Sequence, residues 1–178
     1  MPSAALERHP ATPCSALRGI KASIAREPES LRLAYVLEGD IDRLRIPAPR
    51  PPRIVERLWQ HTCCELFIAR EGVPHLSGYR EFNFSPSGEW AAYGFQRYRE
   101  GALLVGASAE IVVRQGSRQL ELEASIPLPY PEKLRIGLAA VVEDESGVLS
   151  YWALRHAPGK PDFHHPEAFA MKLDEIQR

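Results

Sequence analysis

Apolar and polar residues alternate with a period of two along most of the chain, which is the signature of strands with one buried face. "IKASIAR" (20–26) and "LRLAYVLEGD" (31–40), separated by the turn-forming "EPES", predict a first hairpin. "LWQHTCCELFIAR" (58–70), "YREFNFSP" (79–86) and "EWAAYGFQRY" (89–98) predict three central strands, the last two joined through "SPSG". "AEIVVRQ" and "RQLELEASIPL" form a further hairpin through "GS". "KLRIGLAAVVED" (133–144) and "LSYWALRH" (149–156) bracket "ESG", and "AFAMKLDEI" reads as a last strand or a short helix. About nine strands at these spacings imply an all-β, antiparallel β-sandwich.

Two strands break the usual pattern of apolar inside and polar outside. In 79–86, Tyr79, Glu81, Asn83 and Ser85 share one face, opposite Arg80, Phe82 and Phe84. In 58–68, Trp59, His61, Cys63, Glu65 and Phe67 oppose Leu58, Gln60, Thr62, Cys64, Leu66 and Ile68. Pairing of these strands brings Glu65 and Glu81 together, and burying two carboxylates without partners costs several kcal/mol. The acids must therefore be solvated, paired with arginines such as Arg80, Arg97 and Arg99, or turned toward a ligand.

The chain's 178 residues are sufficient for one domain with a substantial core. Residues 1–17 read as a flexible tail before a single domain over 18–178, with a proline-rich extended connection at 45–54. Twenty-two basic against 23 acidic side chains give no general attraction for nucleic acid or anionic lipid. No apolar run has the length of a membrane span or a signal peptide, so the expected location is cytoplasmic. Three cysteines without a zinc spacing fit a reducing compartment.

The candidate chemistry is aromatic and acidic. Trp59, Tyr79, Trp90, Tyr151 and Trp152 offer flat apolar faces near acceptors, which suits the C–H face and hydroxyls of a sugar ring. The competing reading places a metal, and with it a hydrolase or lyase, in "RHAPGKPDFHH", where His156, Asp162, His164 and His165 concentrate ligand types. The same residues could serve as turn caps and backbone partners, with Arg155 and His156 as polar contacts at the mouth of a site. Neither Ser85 nor Cys63 stands in a nucleophile context. A third reading is a protein-interaction module with an exposed sheet edge.

The segments "LWQHTCCELFIA", "YREFNFSPSGEWAAYGF" and "LSYWALRHAPGKPDFHHPEAF" resemble bacterial DOMON-like proteins, which are similar to the family-nine carbohydrate-binding modules. The resemblance covers nearly the whole chain and implies a non-catalytic β-sandwich binding a saccharide or, in other branches, haem. It implies an aromatic pair, matched to Trp59 and Trp152, around a terminal sugar, with polar contacts from Glu65, Tyr79, Glu81, Asn83 and Arg155. Glu65 matches the acid of an Asp-x-x-Glu pattern whose first position is Thr62 here, and Pro86 and Gly88 match its later turn. Calcium is implied by the family, with "EDES" (143–146) as the candidate segment. Haem is poorly supplied, since Met171 is the one internal methionine.

Overall fold

The computed structural model of the chain describes residues 1–73, 78–127 and 129–174. Among these residues twelve strands are present in place of about nine: β1 (Ser3–Arg8), β2 (Leu17–Arg26), β3 (Ser30–Gly39), β4 (Cys63–Arg70), β5 (Tyr79–Phe84), β6 (Trp90–Arg97), β7 (Glu100–Leu103), β8 (Glu110–Gln115), β9 (Gln119–Pro127), β10 (Leu134–Glu143), β11 (Leu149–Ala153) and β12 (Met171–Leu173). The added elements are those with weak alternation. In β7 every residue is exposed, and in β1 Leu6 alone is buried. The closing segment holds a 3-10 turn, Pro166–Ala168, and then β12, while residues 175 and 176 of that expected element lie outside the described residues. So does Leu128, the last residue of the expected strand that became β9.

Hydrogen bonding runs in one path, β7-β6-β5-β4-β10-β11-β1-β2-β3-β9-β8, with every paired neighbour antiparallel. The path folds into two layers at β1. Ser3–Leu6 pair with β2, whereas Glu7 and Arg8 pair with Ala153 and Trp152 of β11. The expected flexible tail therefore contains the strand that joins the layers, because main-chain donors and acceptors on two sheet edges find their partners there.

Between the layers lies the main core, with Ile20, Ile24, Leu33, Tyr35 and Leu122 from one sheet facing Leu66, Ile68, Phe82, Phe84 and Leu138 from the other. The Tyr35 hydroxyl crosses the core to donate to the Glu65 carbonyl at 2.7 Å, so the large polar side chain is satisfied. The sheets differ on their outer faces. In β3 and β9 buried positions alternate with more exposed ones, as a solvated face requires. In β4 and β10 nearly every residue is buried, so something covers that face too.

The cover is residues 154–170, between β11 and β12. Both strands pair with the same edge of β10, at Ala139–Glu143 and Leu134–Ile136 respectively, so the chain leaves the sheet and returns to the same groove. On the way it lays Phe163, Ala168 and Phe169 over Phe67, Ala69 and Tyr79, forming a second apolar cluster. Gly137 permits the close approach: a Cβ there would lie 3.2 Å from the Ala168 carbonyl oxygen. Among the described residues no helix is long and apolar enough to cross a membrane.

Candidate functional site

The outer face of β4, β5 and β6 carries the residues that break the expected alternation. Register follows from the turn at 85–88, where Gly88 donates to the Ser85 carbonyl at 2.9 Å with a φ of 89° that favours glycine. That turn pairs Glu81 with Tyr93 and Tyr79 with Phe95. β4 in turn sets Glu65 beside Asn83 and Phe67 beside Glu81. Small residues, Ala139 and Ala91, flank the Glu65–Asn83 row, leaving space above it.

A cleft of about 610 Å³ opens over this face. Glu65, Glu81 and Val141 line it from the sheet, together with Tyr93 and Phe95 of β6. Trp59 forms its rim, 39% exposed, with its ring edge-on to Tyr93 at 5.7 Å between centroids. The opposite wall comes from Lys160, Phe163 and His164 of the 154–170 segment and from Arg99 in the β6–β7 turn. Among the described residues Arg57 and Arg99 are the non-glycine residues with positive φ (63° and 58°), at a cost of about 1 kcal/mol each; Arg99 lines the cleft, and the Arg57 amide donates to the hydroxyl of its wall residue Tyr93 at 3.4 Å.

Trp59 does not continue strand β4. Leu58–Gln60 form a 3-10 turn, so the alternation read through 58–70 starts only at Cys63. His61 fixes the turn through its Nδ1, 2.6 Å from Glu143 Oε2, while Arg45 donates to Glu143 Oε1 at 3.0 Å. Thr62 is buried and structural: its hydroxyl donates to the Arg45 carbonyl at 2.9 Å and accepts from the Glu143 amide at 3.1 Å.

The two carboxylates are both buried, Glu65 at 3% and Glu81 at 4% exposure, but their surroundings differ. Asn83 donates its amide to Glu81 Oε1 at 2.9 Å, and His164 Nε2 lies 3.6 Å from Glu81 Oε2. The Tyr79 hydroxyl accepts from the Arg99 amide at 3.0 Å and is 2.9 Å from His164 Nδ1. Glu65 Oε1 and Asn83 Oδ1, by contrast, have no hydrogen-bond partner among the described residues.

Burial pushes the Glu81 carboxyl up to about 7 against the opposing pull of Asn83 and Arg99. Burial and then the nearby Glu81 charge push Glu65 well above the usual carboxylate range. Burial likewise raises the Cys63 thiol, which leaves it a poor nucleophile. Ser85 Oγ serves the turn, accepting from the Ser87 amide and hydroxyl at 3.1 and 2.9 Å.

Of the expected site residues, Trp59, Glu65 and Glu81 meet at the cleft, with Tyr79 and Asn83 supporting them from behind. Trp152 does not join them. It sits between the sheets, 5% exposed, with its indole N–H donated to Ser150 Oγ at 3.0 Å, because β11 turns Tyr151 rather than Trp152 outward. The aromatic partners of Trp59 on the cleft are Tyr93, Phe95 and Tyr151 instead. Trp90 also faces inward. Arg155 lines a separate, more open depression with Arg135 and Lys172.

The expected metal set is dispersed. His156 Nε2 is 2.7 Å from the Glu7 carbonyl, and Asp162 holds Tyr98 and, at 2.8 Å, Arg99. His164 joins Tyr79, and His165 Nδ1 accepts from the Glu167 amide at 3.2 Å as the cap of the 3-10 turn. Among the described residues no three His, Cys, Asp or Glu side chains gather as metal ligands. "EDES" is likewise divided: Glu143 binds Arg45 and His61, and Asp144 caps the β10–β11 turn by accepting from Ser146 and Val148 amides at 2.9 and 3.0 Å. Met171 packs against the main core from β12.

Tyr93 and Phe95 were within reach of the sequence, since extending the 85–88 turn register along β6 places both beside Tyr79 and Glu81. Arg99, Lys160 and Phe163 had no such signal, because they come from connections whose path depends on the packed face.

No family model matches the sequence, and no curated protein matches it. Solved structures do match by fold. A candidate carbohydrate-binding protein from Bacteroides uniformis superposes with a TM-score of 0.66 at 15% identity, covering 93% of this chain and 83% of that one. A family-nine carbohydrate-binding module from Caldicellulosiruptor kristjanssonii in complex with glucose gives 0.55 at 12% identity, covering 97% and 85%. A family-nine module from the same organism in complex with cellotriose gives 0.51 at 10% identity, covering 79% and 67%. At these identities the likeness establishes the fold, a β-sandwich of the carbohydrate-binding-module type.

Proposed function

We propose that the cleft binds a saccharide non-covalently. The observation that carries this reading is a partly exposed tryptophan at the rim of a cleft whose floor holds two buried carboxylates: Trp59 above, Glu65 and Glu81 below. A sugar ring has an apolar C–H face and a perimeter of hydroxyl donors, so it satisfies both surfaces at once. The similar proteins crystallised with glucose and cellotriose support the assignment of ligand class.

Each wall has a defined part. Trp59, held edge-on to Tyr93 and tethered through His61 to Glu143, stacks on the ring. Glu81, oriented by Asn83 and His164, accepts from hydroxyls, and Lys160 and Arg99 donate from the rim.

Isothermal titration of the full chain with glucose and cellotriose tests the reading. Trp59→Ala is expected to weaken binding about tenfold, the loss of one stacking contact, with little change in melting temperature because the ring is partly exposed. Unchanged affinity in the folded variant would remove Trp59 from the site.

A further inference from the structure

We propose that the acid pair on the cleft floor recognises a protonated primary amine, so that the ligand class is an amino sugar carrying a free amine. The inference rests on the saccharide reading above and narrows it.

The geometry begins with an imbalance of donors. Glu81 has Asn83 on one oxygen and His164 near the other, whereas Glu65 Oε1, in a residue that lines the cleft, has no donor among the described residues. Across the ladder from Glu65, Asn83 Oδ1 is in the same condition. A hydroxyl supplies one hydrogen, while an ammonium supplies three and a positive charge. Its charge also offsets the cost of burying the acids that line the cleft.

The protein's own cations do not meet that need. The Arg99 charge reaches both acids without offsetting their burial, its guanidinium being hydrogen-bonded to Asp162 at 2.8 Å, and Lys160 stands exposed on the rim. The other groups around Glu65 are Cys63 and Glu81 on the sheet and His164 on the covering segment, with Cys64 and Tyr35 behind on the core side. An organic cation fits better than a metal ion. The described residues bring no three metal-type ligands together, and Trp59 and Tyr93 supply aromatic faces that attract ammonium groups.

In the empty cleft a proton on the pair does what the amine would do, consistent with the raised carboxyls of both residues. Amine binding then expels that proton, and affinity falls as pH drops below about 7. Isothermal titration with glucosamine, N-acetylglucosamine and glucose, at pH 7 in two buffers of different ionisation enthalpy, separates the possibilities. Glucosamine is expected to bind about tenfold tighter than the two neutral sugars, with net proton release, and Glu65→Gln to bring the ratio of glucosamine to glucose affinity toward one. If Glu65→Gln does not fold, the comparison of the three sugars on the unaltered chain still decides.

Equal or tighter binding of glucose or N-acetylglucosamine would overturn the amine assignment and leave the saccharide reading standing. Binding of none of the three would remove both. Calcium chloride that raises the melting temperature of chelator-treated protein and blocks glucosamine would identify the cation as a metal, which also overturns the proposal.

Discussion

Glu81 sits mid-strand with its carboxyl raised from 4.5 to about 7, chiefly by burial. The native state therefore keeps a proton that the unfolded chain releases between those two values. The Glu81 contribution to stability accordingly falls as pH rises through this window and levels off above about 7, and Glu65, also raised, contributes a slope of the same sign. The full effect at Glu81 is on the order of 3 kcal/mol. Glu81→Gln keeps the shape and can still accept from Asn83, so urea unfolding should show a flatter profile from pH 5 to 8 and a variant more stable than the parent at pH 8. Parallel profiles would mean that the ionised Glu81 is well solvated or paired in the native protein.

At the scale of elements, the segment over 154–170 turns a half-buried sheet into a cleft. Its apolar anchors are Phe163 and Phe169, whose ring centroids lie 6.3 and 5.8 Å from that of Phe67. Its polar anchor is Asp162. Burial pushes that carboxyl up, but hydrogen bonds from Tyr98 and Arg99 outweigh the effect and hold it below its ordinary value. The stabilisation it contributes is thus present above the unfolded value of 3.8 and is lost as pH falls through the lower folded one. Asp162→Asn should lower global stability by only about 1 kcal/mol, since Arg99 and Tyr98 are half exposed. Hydrogen exchange at neutral pH should nevertheless show loss of protection concentrated in residues 160–165, and saccharide affinity should fall with it. Unchanged exchange there would show that the aromatic contacts alone hold the segment.

For the whole molecule, β1 is the strand on which the two layers depend for main-chain continuity. It pairs with β2 over Ser3–Leu6 and with β11 over Glu7 and Arg8, and it buries Leu6. Removing residues 1–8 exposes two sheet edges and one core leucine, a loss on the order of 3 kcal/mol from the leucine alone. The truncated chain is expected to unfold at markedly lower urea concentration and to associate more readily through the freed edges, as light scattering would show. A midpoint equal to that of the full chain would demote β1 to an accessory strand.

The sequence determined the all-β class, the hairpins β2–β3, β5–β6, β8–β9 and β10–β11, and the odd face that places Glu65 and Glu81 in adjacent strands. Those features depend on side-chain alternation and turn chemistry, which act over a few residues and leave a mark in the local pattern. Tertiary structure alone decided that Trp152 belongs to the core and that Arg99 and Phe163 belong to the cleft. Trp59 could be read as a candidate site residue, but not its place at the rim, because a 3-10 turn interrupts the strand pattern just before Cys63. Likewise, the histidines of 156–165 look like a ligand cluster in the sequence. Only the return of β12 to the groove beside β11 stretches them over the sheet, where each meets a different partner.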